Sequence, residues 1–301
     1  MAGLDGFLNL YKPAGWTSHD CVAKLRQLLK TKKIGHAGTL DPAATGVLPM
    51  AVGRATRLLQ YLPSDKTYRA VVRFGTTTDT DDLDGTVLTQ TPAIHLTKAD
   101  VVAQLVHFQG EIQQVPPMYS AIHVQGQRLY DLARRGSVET ADIPRRIVAI
   151  HRVDVVGWKP GKSPEITLDI ACGAGTYIRS IARDLGQRLA VGGTLASLLR
   201  IQSSGFNLDT SVSFETLSVQ PDQVNLITPA VAMQHLPKIV LCHELARRWC
   251  LGQRLPSVPT IALEQPLRVI TETSEFLGIG VFRLKDEQLC LAPKMVFAQP
   301  S

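Results

Sequence analysis

Residues 35–49 read Gly-His-Ala-Gly-Thr-Leu-Asp-Pro-Ala-Ala-Thr-Gly-Val-Leu-Pro, with one carboxylate, Asp41, and one imidazole, His36, among small residues. Glycines at 35, 38 and 46 let a backbone approach a ligand closely. A low-bulk loop with a single acid suits a site acting on a large, flat substrate. The same residues fit a simpler role as well. Asp41-Pro42 reads as a helix start, with Asp as N-cap and Pro in the first turn, and locally that is the commoner use of the pair.

Charge next to this loop is one-sided. Between Cys21 and Leu40 stand Lys24, Arg26, Lys30, Lys32 and Lys33 with no acid among them. A solvated face seldom lacks relieving carboxylates, so contacts to phosphate are the better reading. The net charge of +6 points the same way, toward a polyanionic partner. A second basic group, Arg128, Arg134, Arg135, Arg145 and Arg146, is interrupted by Asp131, Glu139 and Asp142 and fits an ordinary solvated face.

Several cofactor patterns fail on spacing. Gly161-Lys162-Ser163 has Val156 where a phosphate-binding loop needs its first glycine. Gly173-x-Gly175 has Ile178 at the third position of a dinucleotide fingerprint. The acidic stretch Asp79–Gly85 puts Leu83 at the fifth position of a calcium loop, or Thr91 at the twelfth in the alternative frame. It reads as an acidic turn that is solvated or orients basic neighbours. The five cysteines are scattered, with no Cys-x-x-Cys pair, and are expected to be reduced thiols. Neither a metal nor a nucleotide cofactor is expected. No apolar run is long enough for a membrane span and no secretory leader is read at the N-terminus, so a cytoplasmic protein is expected.

The elements that must position these residues follow from periodicity. Phe7–Tyr11 reads as a strand, and Thr17 or Ser18 caps a helix to about Lys30 that buries Val22, Leu25 and Leu29. Gly35–Pro49 then reads as one loop. Lys66–Phe74 alternates, with Tyr68, Ala70, Val72 and Phe74 on one side. Thr97–Phe108 reads as a helix and the Pro116-Pro117 segment, 113–119, as extended loop. Ile166–Ala171 is strand-like. A helix from near Thr176 follows, burying Ile178, Ile181, Ala182, Leu185 and Leu189, with Arg179 and Arg183 one turn apart on another face. After about Pro237 come a short helix, 244–251, and brief strands at 260–263, 267–271, 278–284 and 288–291, a small β-rich module. With no regular βαβ alternation, the main domain is expected to be α+β.

Five blocks together resemble one family. They are Leu10-Tyr-Lys-Pro-Ala-Gly-Trp-Thr-Ser-His-Asp20; the 35–49 stretch; Lys66-Thr-Tyr-Arg-Ala70 with Thr78-Asp-Thr-Asp-Asp-Leu-Asp-Gly85; Gln114-Val-Pro-Pro-Met-Tyr-Ser-Ala-Ile122; and Gly175-Thr-Tyr-Ile-Arg-Ser-Ile-Ala-Arg-Asp-Leu-Gly186. In this order and spacing the set resembles the TruB family, the bacterial tRNA pseudouridine-55 synthases, over nearly the whole chain. The resemblance implies a pseudouridine synthase fold, α+β with a central mixed, mainly antiparallel sheet. It further implies a catalytic domain over 1–234 with an RNA-clamping insertion at about 107–150, and a PUA-like RNA-binding domain over 235–301.

The implied reaction flips the T-loop uridine 55 out of its stack, detaches uracil at N1 and reattaches it through C5. It needs no cofactor, metal, guide RNA or membrane. The implied partner is tRNA, through its T arm and acceptor stem, bound by a monomer. Residue roles are likewise implied by the resemblance. Asp41 matches the catalytic aspartate, adding to uracil C6 or ribose C1′; Arg179 matches the arginine that pairs with it, and Tyr68 the tyrosine stacked on the flipped base. His36 matches the histidine that fills the gap left in the loop. Tyr177 and Leu198 match pocket-lining residues, and Lys12 the lysine of the first block. Lys24, Lys30, Lys32, Lys33 and Arg128 are expected on RNA backbone. Two features depart from the pattern: His123 stands where the family commonly has Lys, and the C-terminal module is nearly balanced, with eight Lys or Arg against six Asp or Glu after Leu236. An RNA-binding or RNA-folding protein without catalysis, and the guide-RNA-dependent relatives, are the competing readings.

Overall fold

The alternating run Lys66–Phe74 forms a strand inside the main sheet, with Tyr68, Ala70, Val72 and Phe74 buried. Its other face carries Arg69 and Arg73, which lie opposite Asp169 and Glu165 on the antiparallel neighbour Glu165–Cys172. Arg69 donates two 2.8 Å hydrogen bonds to Asp169, and Arg73 one of 2.8 Å to Glu165. Cross-strand pairs of this kind fix register on the exposed face while the apolar face fixes it from the core. The computed structural model describes residues 4–120, 122–124, 127–130, 143–219, 225–285 and 287–298.

Among the described residues the main sheet has nine strands. Its path runs Gly6–Lys12, Thr45–Val52, Gly193–Ser203, Lys66–Phe74, Glu165–Cys172, Arg146–Lys159 and Gly110–Gln114, with Ile34–His36 and Phe206–Asn207 attached at its side. All pairings are antiparallel except Thr45–Val52 with Gly193–Ser203, where Leu199 faces Thr45 and Arg200 faces Gly46. The sheet is therefore mixed and mainly antiparallel, as expected. At the parallel seam Gly46 has φ +106°, and a Cβ there would lie 2.3 Å from the Arg200 carbonyl oxygen. Only glycine fits at that point.

Two helices frame the site. Ser18–Leu28 starts at a capping box, Thr17 with Asp20, and buries Val22 and Leu25. Ile178–Arg188 packs Ile178, Ile181, Ala182 and Leu185 into one core with Tyr68, Ala70 and Val72 of the central strand and Ile166, Leu168 and Ile170 of its neighbour. Its last turn touches backbone: a Cβ on Gly186 would sit 2.1 Å from the Gly193 amide nitrogen.

Residues 238–296 form a second sheet, ordered Lys238–Leu241, Leu267–Thr271, Phe276–Lys285, Gln288–Val296 and Leu255–Pro256. The helix His243–Cys250 inserts Trp249, fully buried, against it. This module does not hang free. Ile270, Phe276, Ile279 and Met295 share a core with Phe7, Val47, Ala51 and Leu58 of the main body. Arg54 donates to the Phe297 carbonyl at 2.8 Å and lies over the Phe297 ring.

Some sequence expectations fail locally. Asp41-Pro42 starts no helix: a single turn, closed by the Ala44 amide on the Asp41 carbonyl at 3.1 Å, leads straight into the Thr45–Val52 strand. Pairing with Gly6–Lys12 needs those backbone groups, and Gly46 with its positive φ breaks any helix. The 35–49 stretch is thus not one loop but opens and closes in strands. The strand expected at 260–263 is absent: the chain bends after Pro259 and turns at Glu264, which has φ +61°. Gly110–Gln114 and Arg146–Ile150 pair as sheet strands, so both ends of the 107–150 segment belong to the scaffold.

Candidate active site

A cavity of about 570 Å³ opens where the Gly38–Pro42 turn, the start of the Ile178–Arg188 helix and the Lys66–Phe74 strand converge. Asp41, Tyr68, Tyr177, Arg179 and Leu198 all line it. These five come from four separate segments of the sequence, and the fold brings them to one wall. A larger cavity, about 950 Å³, lies on the other side of Tyr119, but it holds neither Asp41 nor Arg179. The smaller one holds both the carboxylate and the guanidinium.

The Asp41 side chain is 42% exposed, whereas that of Arg179 is 7% exposed. Arg179 Nε donates to Asp41 Oδ2 at 3.0 Å, Nη1 to the Thr80 carbonyl at 3.1 Å and Nη2 to the Tyr119 carbonyl at 3.1 Å. Asp82 Oδ2 stands 3.6 Å from the same Nε. A buried guanidinium is tolerable only when so fully partnered. The result is a reachable carboxylate backed by a cation that cannot itself leave. Arg179 is therefore not an ordinary solvated helix arginine.

The turn carrying Asp41 is held group by group from behind. Arg200, fully buried, donates to the Val47 carbonyl at 2.7 Å and to the Thr39 and Gly38 carbonyls at 3.2 Å. Ser18 Oγ accepts the Leu40 amide at 2.9 Å. Lys12 Nζ donates to the carbonyls of Pro13, Trp16 and Pro42 at 2.9, 2.7 and 3.0 Å, and the Gly15 amide adds a bond to the Pro42 carbonyl. Every residue from Gly38 to Pro42 therefore has an anchor. Such over-determination is what a carboxylate needs to meet a substrate atom at fixed geometry.

Lys12, the lysine of the first block, lies behind the turn and does not line the cavity. It is fully buried and spends its three N–H groups on carbonyls, so it positions the turn. Burial pushes its ammonium below the ordinary lysine value. His36 does not line the cavity; it ends the Ile34–His36 strand opposite Met50. Burial and the nearby Arg200 push its imidazole below the usual value, favouring the neutral ring, and its Nδ1 is buried without a protein partner. Tyr68 and Tyr177 have phenols raised by burial and are neutral near pH 7.

Of the expected backbone contacts, Lys30, Lys32 and Lys33 are exposed and Lys24 half-exposed, on and after the first helix. Arg128 belongs to a two-residue strand paired with His123–Val124, and its side chain lies outside the described residues, as do Arg134 and Arg135. Gln114 opens one of the five blocks, but its own role is not legible there. Fully buried, it accepts the Tyr177 amide at 2.8 Å and donates to the Tyr177 carbonyl at 3.0 Å, fixing the helix start. Arg200 was missed too; its signal was a charge inside the apolar run Leu198-Leu-Arg-Ile201.

Among the described residues no group of three or more His, Cys, Asp or Glu side chains is arranged to hold a metal ion. The acidic turn spends its carboxylates on the protein: Asp79 on the Thr86 amide, Asp81 on Arg183, Asp82 on Thr80 and the Asp84 amide. It orients basic neighbours, one of the two roles read from its sequence.

Comparison with known proteins decides the family. The model of the TruB family pseudouridylate synthase N-terminal domain matches residues 26–178, and that of the pseudouridine synthase II TruB C-terminal domain matches residues 237–297. The chain belongs to the TruB family. The tRNA pseudouridine synthase B of Gloeothece citriformis (strain PCC 7424) is 52% identical over 301 residues, covering 97% of either chain. That of Trichormus variabilis (strain ATCC 29413 / PCC 7937) is also 52% identical, covering 98% of this chain and 99% of its own. Among solved structures, a Cbf5-Nop10-Gar1 complex superposes with TM-score 0.74 at 24% identity, over 98% of this chain and 85% of the other. At that identity the likeness is one of fold. The TruB-family chain thus shares its architecture with these more distant proteins while its sequence groups it with the tRNA pseudouridine synthases B. As a member of the pseudouridylate synthases it is an isomerase. No helix among the described residues is long and apolar enough to cross a membrane.

Proposed function

We propose that this TruB-family enzyme converts uridine 55 of the tRNA T loop to pseudouridine, unaided by a guide RNA. The observation that carries this reading is the Asp41 carboxylate, exposed at the cavity and bonded to the buried Arg179 at 3.0 Å. A protein that only bound RNA would have no use for an accessible carboxylate, which repels phosphate, anchored this firmly.

In the reaction the target nucleotide leaves the loop stack and enters the cavity between Tyr68, Tyr177 and Leu198. Asp41 adds covalently, at uracil C6 or ribose C1′, and the N1–C1′ bond breaks. Uracil turns within the cavity and C5 bonds to C1′; the bond from Asp41 to C1′ or C6 breaks to return the carboxylate, the C5 proton is released and N1 takes up a proton. Arg179 keeps the carboxylate oriented throughout, and neutral Tyr68 offers its ring to the base. His36 fills the gap in the loop, and Lys12 holds the turn. Lys24, Lys30, Lys32, Lys33 and Arg128 contact phosphates of the T arm, and the module from residue 235 onward meets the acceptor stem. The enzyme acts as a monomer in the cytoplasm.

The test uses unmodified tRNA carrying tritium at uracil C5. Tritium release from uridine 55 is expected, and its loss in Asp41→Asn with tRNA binding retained. Binding without release by the wild-type protein would sink the enzymatic reading.

A further inference from the structure

The acidic turn meets the Ile178–Arg188 helix at two points, one helical turn apart. Asp82 and the Thr80 carbonyl face Arg179. Asp81 faces Arg183, whose Nη1 donates to Asp81 Oδ2 at 2.8 Å. The second contact lines the larger neighbouring cavity and not the catalytic one. It is nevertheless tightly built. Arg183 also donates from Nη2 to the Val115 carbonyl and from Nε to Asp184, both at 2.8 Å. Asp81 takes φ +63°, unusual for a residue other than glycine, and its carbonyl accepts the Leu195 amide at 3.0 Å.

Two carboxylates compete for one hydrogen on Arg179 Nε, Asp41 at 3.0 Å and Asp82 at 3.6 Å. An N–H serves one acceptor well. A shift of the turn by a few tenths of an ångström would decide which acid holds it. Arg183 fixes both segments that matter: the turn bearing Thr80 and Asp82, and Val115, four residues before Tyr119, whose carbonyl is the third acceptor of Arg179. We propose that the Asp81–Arg183 ion pair is a positioning device that locks the acidic turn to the helix, so that Arg179 stays on Asp41 instead of passing to Asp82. This rests on the reading of Asp41 as the reacting carboxylate.

The test compares Asp81→Ala, Arg183→Ala and the double variant in single-turnover tritium release from tRNA, with tRNA affinity measured separately. Each single change should slow release on the order of ten-fold with affinity within about two-fold, and the double should be no slower than the slower single. Asp81→Asn, which keeps an acceptor oxygen and tolerates positive φ, should fall between wild type and Asp81→Ala. In ¹⁵N-arginine-labelled protein the Arg179 Nε–H signal should move in Asp81→Ala as it does in Asp41→Asn. Rates within about two-fold of wild type, effects that multiply in the double variant, or a loss confined to tRNA affinity would each overturn the lock. If Asp81→Ala does not fold, Arg183→Ala decides by the same criteria. If wild type itself releases no tritium, the functional reading fails, and the Nε–H comparison still decides the lock.

Discussion

Replacing Arg200 by Met asks whether the turn carrying Asp41 is truly held from behind. The guanidinium is fully buried and donates to the carbonyls of Val47, Thr39 and Gly38 at 2.7, 3.2 and 3.2 Å. Met keeps the length and the apolar stem and removes every donor. Hydrogen bonds to a charged group contribute about 1.5–3 kcal/mol each, so the gross loss is about 5–9 kcal/mol. Against this stands the desolvation of the cation, several kcal/mol, which the variant no longer carries. The difference leaves roughly 2–4 kcal/mol of destabilisation, a fall in Tm of about 5–15 °C. The rate should suffer more than the fold. Thr39 is two residues from Asp41, and a displacement of about 1 Å at a reacting group costs on the order of 100-fold. Single-turnover tritium release and a thermal melt measure the two effects. A lowered Tm with release within about three-fold of wild type would refute the reasoning, because Arg200 would then support the sheet and not the turn.

Two further outcomes follow from charge. Lys32→Ala with Lys33→Ala should weaken tRNA binding and lower the slope of log K against log salt by roughly one for each phosphate no longer neutralised; an unchanged slope would make this cluster a solvated face. Burial raises the Asp81 carboxyl to about 6, against an unfolded value of 3.8, with Arg183 and Arg179 opposing the rise and Asp184 adding to it. Asp79 and His95 line the same cavity, and Asp82 is the next residue of the turn. The folded chain therefore binds a proton at Asp81 that the unfolded chain does not between about pH 4 and 6. This group's contribution makes the fold more stable as pH falls through 6, by up to about 3 kcal/mol. Neutralising Asp81 also releases the lock, so release should slow over the same range. Urea melts and single-turnover rates at pH 5 and 7 should thus move in opposite directions in wild type, and Asp81→Asn should lose both trends relative to it.

What could be read in the sequence was whatever leaves a periodic or a block signature. Period-two alternation put Tyr68 on the buried face, and period-3.6 spacing gave the buried stripe of the helix that carries Arg179. Which side of that helix Arg179 faces was not in the pattern, because an arginine one turn from another arginine looks solvated. Its burial depends on three acceptors from three distant segments, Asp41, Thr80 and Tyr119, that only the fold assembles. Asp41-Pro42 misled for the opposite reason. Its local preference for a helix start is real, but the next residues are claimed by an interior strand, and tertiary pairing overrides a cap worth about 1 kcal/mol.

The same logic explains why the supporting roles of Lys12 and Arg200 are not legible in the sequence. Lys12 and Arg200 lie in strands where a charge should be excluded, and each is completely buried. A strand in such a position would be more stable with Leu or Met, were the cation not engaged. Lys12 and Arg200 between them contact the carbonyls of Gly38, Thr39 and Pro42, on either side of the one exposed carboxylate in the turn. A turn that must carry an accessible acid has few side chains of its own with which to anchor itself, since bulk would close the cavity. Its anchors therefore have to come from outside and grip backbone. Long cationic side chains with several donors reach three carbonyls at once, which an apolar residue cannot do. The small residues around Asp41 and the buried cations behind it are two halves of one arrangement, and either half alone would leave the carboxylate free to wander.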